Sequence, residues 1–337
     1  MSALCFETQI TRRTVLAALG MSALGLAATG TPIFADESRS DGLGKILPKF
    51  SEPSRLILAR LLHDPEYSGR IPAVEAAALS RNENTTADKL MLELIPLAQS
   101  YSFAPISNFY VGALVRGASG DLYTGANIEI PGQCLGFAVH AEQSACSNAY
   151  MHGEKALTAL AVGGAPCGHC RQFIEEMSPG GEILILTPQK PPAKLSSILP
   201  AAFGPAALGM KQGALPVEET DLKLVSGSAD PLFAAALDAA RKSHAPYSKS
   251  PSGVGIRTAR GRIFRGSYIE NVAFNPSLSP LQTALVGLIA NGGTFADISA
   301  VTLAELENPT ITQKAVTDTV RAAIAPSVKL QIVSASI

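Results

Sequence analysis

Two stretches of this chain carry the same pattern. APISNFYVGALVRGASGDLYTGANIE begins at Ala104, and APYSKSPSGVGIRTARGRIFRGSYIE begins 141 residues later, at Ala245. At that constant spacing Gly112 meets Gly253, Gly120 meets Gly261, Gly125 meets Gly266 and Glu129 meets Glu270. Glycine in a strand-turn unit marks a special backbone angle or the close approach of another backbone. Matched glycines therefore predict matched architecture, and the chain reads as two copies of one domain. The copies are joined through FGPAALGMKQGALPVEETDLKLVSGSADP. Past the glycines, a one-residue slip sets HAEQSA against PLQTAL, placing Pro280 opposite His140 and Gln282 opposite Glu142.

Each copy is predicted to be α/β. FYVGALVRGASGDLYTGANIEI reads as two strands about a Gly-Asp turn. AVHAEQSACSNAYMHG reads as a helix ending near Gly153. ALTALAVGG is a strand, PCGHCRQFIEEM opens a helix at Pro166, and EILILT is a further strand. Strands alternating with helices predict a layered domain. Upstream, SRLILARLLHDP and TTADKLMLELIPLAQSY space apolar residues helically. The expected division is a linker at 36–50, a small helical domain at 51–100, and the two copies at 101–215 and 216–337.

Residues 1–35 stand apart. Arg12 and Arg13 precede an apolar run from Val15 to about Ala28, then small residues and Pro32, with Glu7 the one other charge before residue 36. The run is short and glycine-containing for a spanning helix, which needs ~20 apolar residues. The segment resembles a twin-arginine export signal, so export to the periplasm is expected, with cleavage after Ala35 and no stable membrane association afterwards. The alternatives are an anchor, a transit segment or a misplaced start, the last leaving a cytoplasmic protein.

Composition narrows the partners. Of the 337 residues 16% are charged and the net charge is −1, with no basic run. Nucleic-acid binders usually show a basic domain or stripe, so a small molecule or a second copy of the chain is the expected partner. Five cysteines, an odd number thinly spread, do not form a disulfide framework.

Two of the five, Cys167 and Cys170, lie in GGAPCGHCRQF, one helical turn apart. His140 and Glu142 are two apart, about 200° around a helix, so they share no side face. Both can reach a point beyond the helix end if they lie in its first turn. Two helix starts facing one point, offering an imidazole and two thiolates, suit Zn2+. Structural zinc takes four protein ligands, whereas catalytic zinc often takes three and leaves a position for water. No fourth ligand is evident: His169 projects away from the cysteine face, and His63, His152 and His244 read as surface or internally satisfied. The fourth position is therefore expected to hold water, its pKa lowered to roughly 7, with Glu142 moving its proton. H-x-E followed by P-C-x-x-C is the known signature of zinc deaminases of nucleobases.

With NFYVGALVRG, GANIE, HAEQSA and PCGHCRQF the chain resembles the cytidine deaminases, in particular their long two-domain form, from about residue 51 to the C-terminus. The resemblance implies a three-layer αβα domain, duplicated, behind a small N-terminal helical domain. It implies one zinc per chain on His140, Cys167 and Cys170, with Glu142 as proton shuttle. It also implies that Asn127 and Glu129 hold the ribose hydroxyls, that Phe109 packs on the pyrimidine, and that the backbone at Ala141 and Ala165 lies against the base. Close relatives often have Thr where this chain has Ala165, a change a backbone contact survives. The plainer alternatives are a core role for Phe109, a turn role for Asn127 and a partly structural Glu129, since Glu270 repeats it. The second copy is implied to be non-catalytic, to complete a homodimer, and to lend residues to the partner's pocket, Phe274 being such a lid residue. The implied reaction is hydrolysis of cytidine and deoxycytidine to uridine and deoxyuridine plus ammonia. Two other readings stay open: a zinc deaminase of a nucleotide or polynucleotide, and a zinc-stapled binding module without turnover.

Overall fold

The computed structural model of the protein describes residues 37–225 and 230–337. The arginine-led segment at 1–35 lies outside the described residues. Among those described, no helix is long and apolar enough to cross a membrane.

The first copy is built on β2 (Gly112–Gly117), β3 (Leu122–Ala126), β4 (Leu157–Val162), β5 (Leu184–Leu186) and β6 (Ala193–Lys194). Its principal helices are α5 (Ile95–Gln99), α6 (Ala141–Met151), α7 (Gly168–Met177) and the short α8 (Leu195–Ile198). The second copy has β7 (Lys223–Leu224), α9 (Pro231–Arg241), β8 (Ser252–Thr258), β9 (Ile263–Ser267), α10 (Pro280–Ala290), β10 (Ile298–Leu306), α11 (Lys314–Ile324) and β11 (Leu330–Ser336). The sheets run β1-β3-β2-β4-β5-β6 and β7-β11-β10-β8-β9, so β3-β2-β4-β5 and β9-β8-β10-β11 correspond; the first sheet adds β1 (Arg70–Ile71), and the strand at the other edge is the last of the first copy, β6, but the first of the second, β7. In each, one pair is parallel, β4 with β5 and β10 with β11, as a strand–helix–strand crossover requires.

The matched glycines show why the copies agree. A Cβ on Gly112 would lie 2.6 Å from the Ile95 carbonyl oxygen, and one on Gly253 would lie 2.5 Å from that of Ala236. Both strands thus let a helix, α5 or α9, rest directly on backbone. Gly125 and Gly266 do the same on the opposite sheet face for α6 and α10. Helices on both faces give the three-layer αβα architecture, twice. Gly120 and Gly261 share a left-handed backbone, at φ 87° and 83°.

Three readings need correction. Residues 37–49 are helical and not a linker: α1 (Glu37–Ile46) runs into a 3-10 turn, and Leu43, Ile46, Leu47 and Phe50 are buried. Those four positions follow i, i+3, i+4, i+7, one helical face. Residues 51–100 do not form a separate helical domain. Besides α2 (Glu52–His63), α3 (Ala73–Asn82) and α4 (Ala87–Glu93), they supply β1, which pairs with β3, and α5, the counterpart of α9 at the same 141-residue offset. The repeat therefore begins before residue 101.

The third correction is the slip between copies. Gly125 faces the Ala141 carbonyl and Gly266 faces that of Pro280. Ile128 bridges Val139, whereas Ile269 bridges Leu278, through a loop two residues shorter. The Gln143 side chain accepts from the His140 amide (3.2 Å) as Gln282 does from Ser279 (3.0 Å). Ser279, not Pro280, therefore stands opposite His140, and Leu281, not Gln282, opposite Glu142. At the second helix start, the N-cap Gln313 takes the place of Cys167. The second copy still offers neither the metal ligands nor the acid.

Helices α6 and α10 pack against each other and are buried along nearly their whole length. Their glutamines cross reciprocally: Gln143 Nε2 donates to the Pro276 carbonyl (3.3 Å) and Gln282 Nε2 to that of Phe137 (3.0 Å). Buried polar groups on α6 find partners as well, Asn148 donating to the Thr124 carbonyl at 3.0 Å.

Candidate metal centre

Two helix starts build the site. His140 is the N-cap of α6, in extended backbone (φ −79°, ψ 155°), which turns its side chain out past the helix end. Glu142 follows in the first turn. Cys167 is the N-cap of α7 and Cys170 the third residue inside it. Cap and third position lie on one side, so both sulfurs face the imidazole. His140 Nδ1 lies 3.5 Å from Cys167 Sγ and 3.3 Å from Cys170 Sγ, and the three donor atoms all fall within 4.8 Å of one another.

These side chains fit zinc. Tetrahedral bonds of ~2.3 Å to sulfur and ~2.0 Å to nitrogen separate N and S by about 3.6 Å, close to what the three already adopt. Among the described residues this is the cluster of His, Cys, Asp and Glu able to hold a metal, and it has three members. His169 is not one of them; its Nε2 sits 3.3 Å from the Asn275 carbonyl oxygen. His152 is bonded to Ser68 and Asn148, and His244 to Glu176.

The Cys170 thiol, donating to Cys167, draws the Cys167 thiol down to about 4, with further help from the Cys170 amide and His140. The same donation, together with burial, pushes Cys170 up. Binding a metal through both sulfurs would release the protons they carry. Glu142 is 5% exposed. Burial pushes its carboxyl above the usual range, against the pull of its own amide and of His140.

The remaining residues surround this point. The bridge between Ile128 and Val139 is antiparallel, which sets Asn127 beside His140. Asn127 and Glu129 alternate with buried neighbours and face one side, just beyond the end of β3. Both hold the loop 104–111. Asn127 Nδ2 donates to the Phe109 carbonyl (2.9 Å), and its Oδ1 accepts from the Val111 amide (2.9 Å) and the Ser102 hydroxyl. Glu129 accepts from the amides of Ile106 (2.7 Å) and Ser107 (3.1 Å) and from the Ser107 hydroxyl (2.5 Å). Burial raises its carboxyl, but those donors outweigh it and hold the group below the usual range. Glu270 repeats the arrangement with the amides of Tyr247 and Ser248, so part of this role is architectural.

Phe109 is 71% exposed and is not a core residue. Ala141 is the buried first residue of α6, and Ala165 lies on the exposed turn before Pro166 and α7. Phe274, 65% exposed, sits in a left-handed backbone (φ 63°) on a loop that packs against α7 of the same chain. Gln143, which fastens the His140 amide, was not singled out from sequence. The signal was available in the spacing of a cap residue and a glutamine three further on, repeated at Ser279 and Gln282.

A three-donor zinc cradle with a buried acid beside it, on a duplicated αβα scaffold, defines a zinc-dependent hydrolase of the deaminase kind. Residues 84–185 and 195–318 each match the cytidine and deoxycytidylate deaminase zinc-binding region. A cytidine deaminase from Vibrio atlanticus is 40% identical over 81% of this chain and 92% of its own, and one from Cronobacter sakazakii is 45% identical over 76% and 86%. A crystal structure of cytidine deaminase from Mycobacterium tuberculosis aligns with 34% of this chain and 96% of its own, at 32% identity and a TM-score of 0.32. The chain belongs to the cytidine and deoxycytidylate deaminase family.

Proposed function

We propose that the protein hydrolyses cytidine and deoxycytidine to uridine and deoxyuridine, releasing ammonia, with one zinc per chain held by His140, Cys167 and Cys170. The observation that carries this is the trio of donor atoms within 4.8 Å, at the helix end where Glu142 is buried. When bound there, zinc supplies a Lewis acid that makes water a nucleophile near neutral pH.

The chain's own residues do the rest. Adding water at C4 and losing the 4-amino group needs protons delivered at N3 and then at the amine nitrogen. Glu142 is placed to take a proton from the water and pass it on, and burial, by raising its pKa, favours the acid form that delivers it. Asn127 and the ionised Glu129 offer hydrogen-bonding groups to the ribose hydroxyls, sharing them with the loop they hold. Phe109 supplies an apolar face for the ring. The Ala141 and Ala165 backbone flanks the base, and Phe274 closes the site from the second copy.

Lack of a basic run, and the Asn127–Glu129 pair, favour a free nucleoside over a polynucleotide. The protein acts in pyrimidine salvage as a homodimer. Phe109, Leu135 and Phe274 are large apolar side chains left exposed on the segments that lead into β2, α6 and α10, as a surface awaiting a second subunit would be. The paired arginines and the apolar run after them support export of the mature protein, which N-terminal sequencing tests by finding Asp36, or a residue near it, first. The test of substrate is an ultraviolet absorbance assay on purified zinc-loaded protein with cytidine, cytidine monophosphate and a short single-stranded oligonucleotide. Turnover of cytidine alone is the expected result; turnover of the oligonucleotide alone, or of nothing, overturns the reading.

A further inference from the structure

Helix α7 carries two zinc-binding cysteines at its start and a wholly buried carboxylate, Glu176, near its end. No step assigned so far uses Glu176. Its partners all come from the second copy. Oε1 accepts from His244 Nε2 (2.7 Å) and the Tyr247 hydroxyl (2.8 Å), and Oε2 accepts from the Val272 amide (2.8 Å). An ionised carboxylate accepts and cannot donate, so three converging donors suit it, and its burial is tolerated only because they are there.

The contact belongs to a stripe. His169, Gln172 and Glu176 lie at i, i+3 and i+7, one face of α7, and each meets the same loop of the second copy. His169 Nε2 lies 3.3 Å from the Asn275 carbonyl oxygen, the Gln172 carbonyl accepts from Asn271 Nδ2 (2.9 Å), and Glu176 takes the Val272 amide. The adjoining face, with Cys170, Phe173, Ile174 and Met177, is buried in the first copy. One helix thus carries two of the three metal ligands and the anchorage of the loop 271–276.

That loop presents Phe274 in a left-handed conformation costly for a bulky residue. Such backbone persists only where its surroundings fix it. The Phe274 amide donates to the Asn271 carbonyl (2.8 Å), and the Ala273 amide to Asn271 Oδ1 (2.9 Å). Glu176 holds the residue next to Asn271. It also reaches Phe274 a second way, because the Tyr247 ring whose hydroxyl it binds lies 6.4 Å from the Phe274 ring.

We infer that Glu176 is a positioning residue, clamping the loop 271–276 and Tyr247 of the second copy to the metal-bearing helix so that Phe274 is held over the site. On this account the degenerate copy contributes a lid platform set by the same helix that holds two zinc ligands. The inference deepens the proposed function and rests on it for the role of Phe274.

The test is Glu176→Gln in the zinc-loaded full-length protein, beside Phe274→Ala and the double variant. Glutamine keeps size and one acceptor oxygen but turns an N–H donor toward a donor, against Val272 or against the His244–Tyr247 pair. The expected result is one zinc per chain, cooperative unfolding, and a KM for cytidine raised about tenfold, the size of a lost hydrogen bond to a charged group, with kcat changed less. In the double variant KM should rise no further than in Phe274→Ala alone. Hydrogen exchange, which needs no turnover, should quicken in the peptide spanning 271–277 and stay unchanged in β8 and β9. Effects that multiply in the double variant, or unchanged exchange at 271–277, overturn the inference. If Glu176→Gln loses the fold or the metal, Tyr247→Phe replaces it, removing one donor without adding any; unchanged exchange there overturns the inference too. If the unaltered protein does not deaminate cytidine, the proposed function fails, and the exchange result still decides whether Glu176 clamps the loop.

Discussion

Adding one methyl group at Gly125 should displace Glu142, the residue proposed as the acid. A Cβ there would lie 2.5 Å from the Ala141 carbonyl oxygen and 2.6 Å from Ala145 Cα, and closer still to the Ala145 amide nitrogen. Carbon atoms meet comfortably at about 3.5 Å, and all these neighbours are backbone atoms of α6, so no side chain can swing aside. The helix has to lift from the sheet by about 1 Å. Overpacking of this kind costs roughly 1–3 kcal/mol. The larger effect falls on rate, because α6 carries Glu142 in its first turn and His140 at its cap, and a misplacement of about 1 Å can cost ~100-fold. Gly266→Ala is the matched comparison, since it meets the same atoms of α10, a helix that bears no catalytic group. Both variants should unfold at lower temperature, and cytidine turnover should fall far more in Gly125→Ala. Equal turnover losses in the two, or normal turnover in Gly125→Ala, would refute the reasoning.

Cys170→Ala should lose zinc and unfold at lower temperature, because a site left with His140 and Cys167 binds the metal weakly; metal analysis returning one zinc per chain would count against its ligand role. His152 is held neutral: burial pushes its pKa below the usual value, with Nδ1 at 2.8 Å from the Asn148 carbonyl oxygen and Nε2 at 2.7 Å from the Ser68 hydroxyl. The unfolded chain then binds the extra proton first, so this group's contribution is complete above about pH 6.5 and declines as pH falls through that value. Denaturant midpoints should drop more on acidification in the unaltered protein than in His152→Gln; identical pH dependence would show that His152 titrates freely. Gly287 lies inside α10 with its nearest neighbour, Phe264, at 3.7 Å from a built Cβ. Gly287→Ala should raise stability by about 0.5–1 kcal/mol through helix propensity, measured by thermal unfolding, and a loss would mean the helix has no such room.

Sequence carried the site further than it carried the fold. H-x-E and P-C-x-x-C are legible because metal chemistry demands particular side chains at particular spacings. The glycine matches are legible because close backbone approach tolerates no substitute. Counterparts such as Ile95 and Ala236 touch strands through their backbone, so α5 and α9 could diverge in side chain and hide the repeat's true start. The slip between copies was misjudged because its cause is a shortened loop, and loop length leaves no trace in the strand before it or the helix after it. Strand β1 is two residues long, too short for an alternation of polar and apolar positions to show. The loop-holding work of Asn127 and Glu129 was hidden for another reason: most of their partners are backbone amides and carbonyls, which every residue has.

The most direct test of the central claim is zinc content and cytidine turnover measured together on Glu142→Gln. The substitution leaves His140, Cys167 and Cys170 in place and removes the group proposed to move protons. One zinc per chain with turnover reduced at least ~10²–10⁴-fold is the predicted result. Turnover near that of the unaltered protein would contradict the role given to Glu142 and, with it, the chemistry assigned to the site.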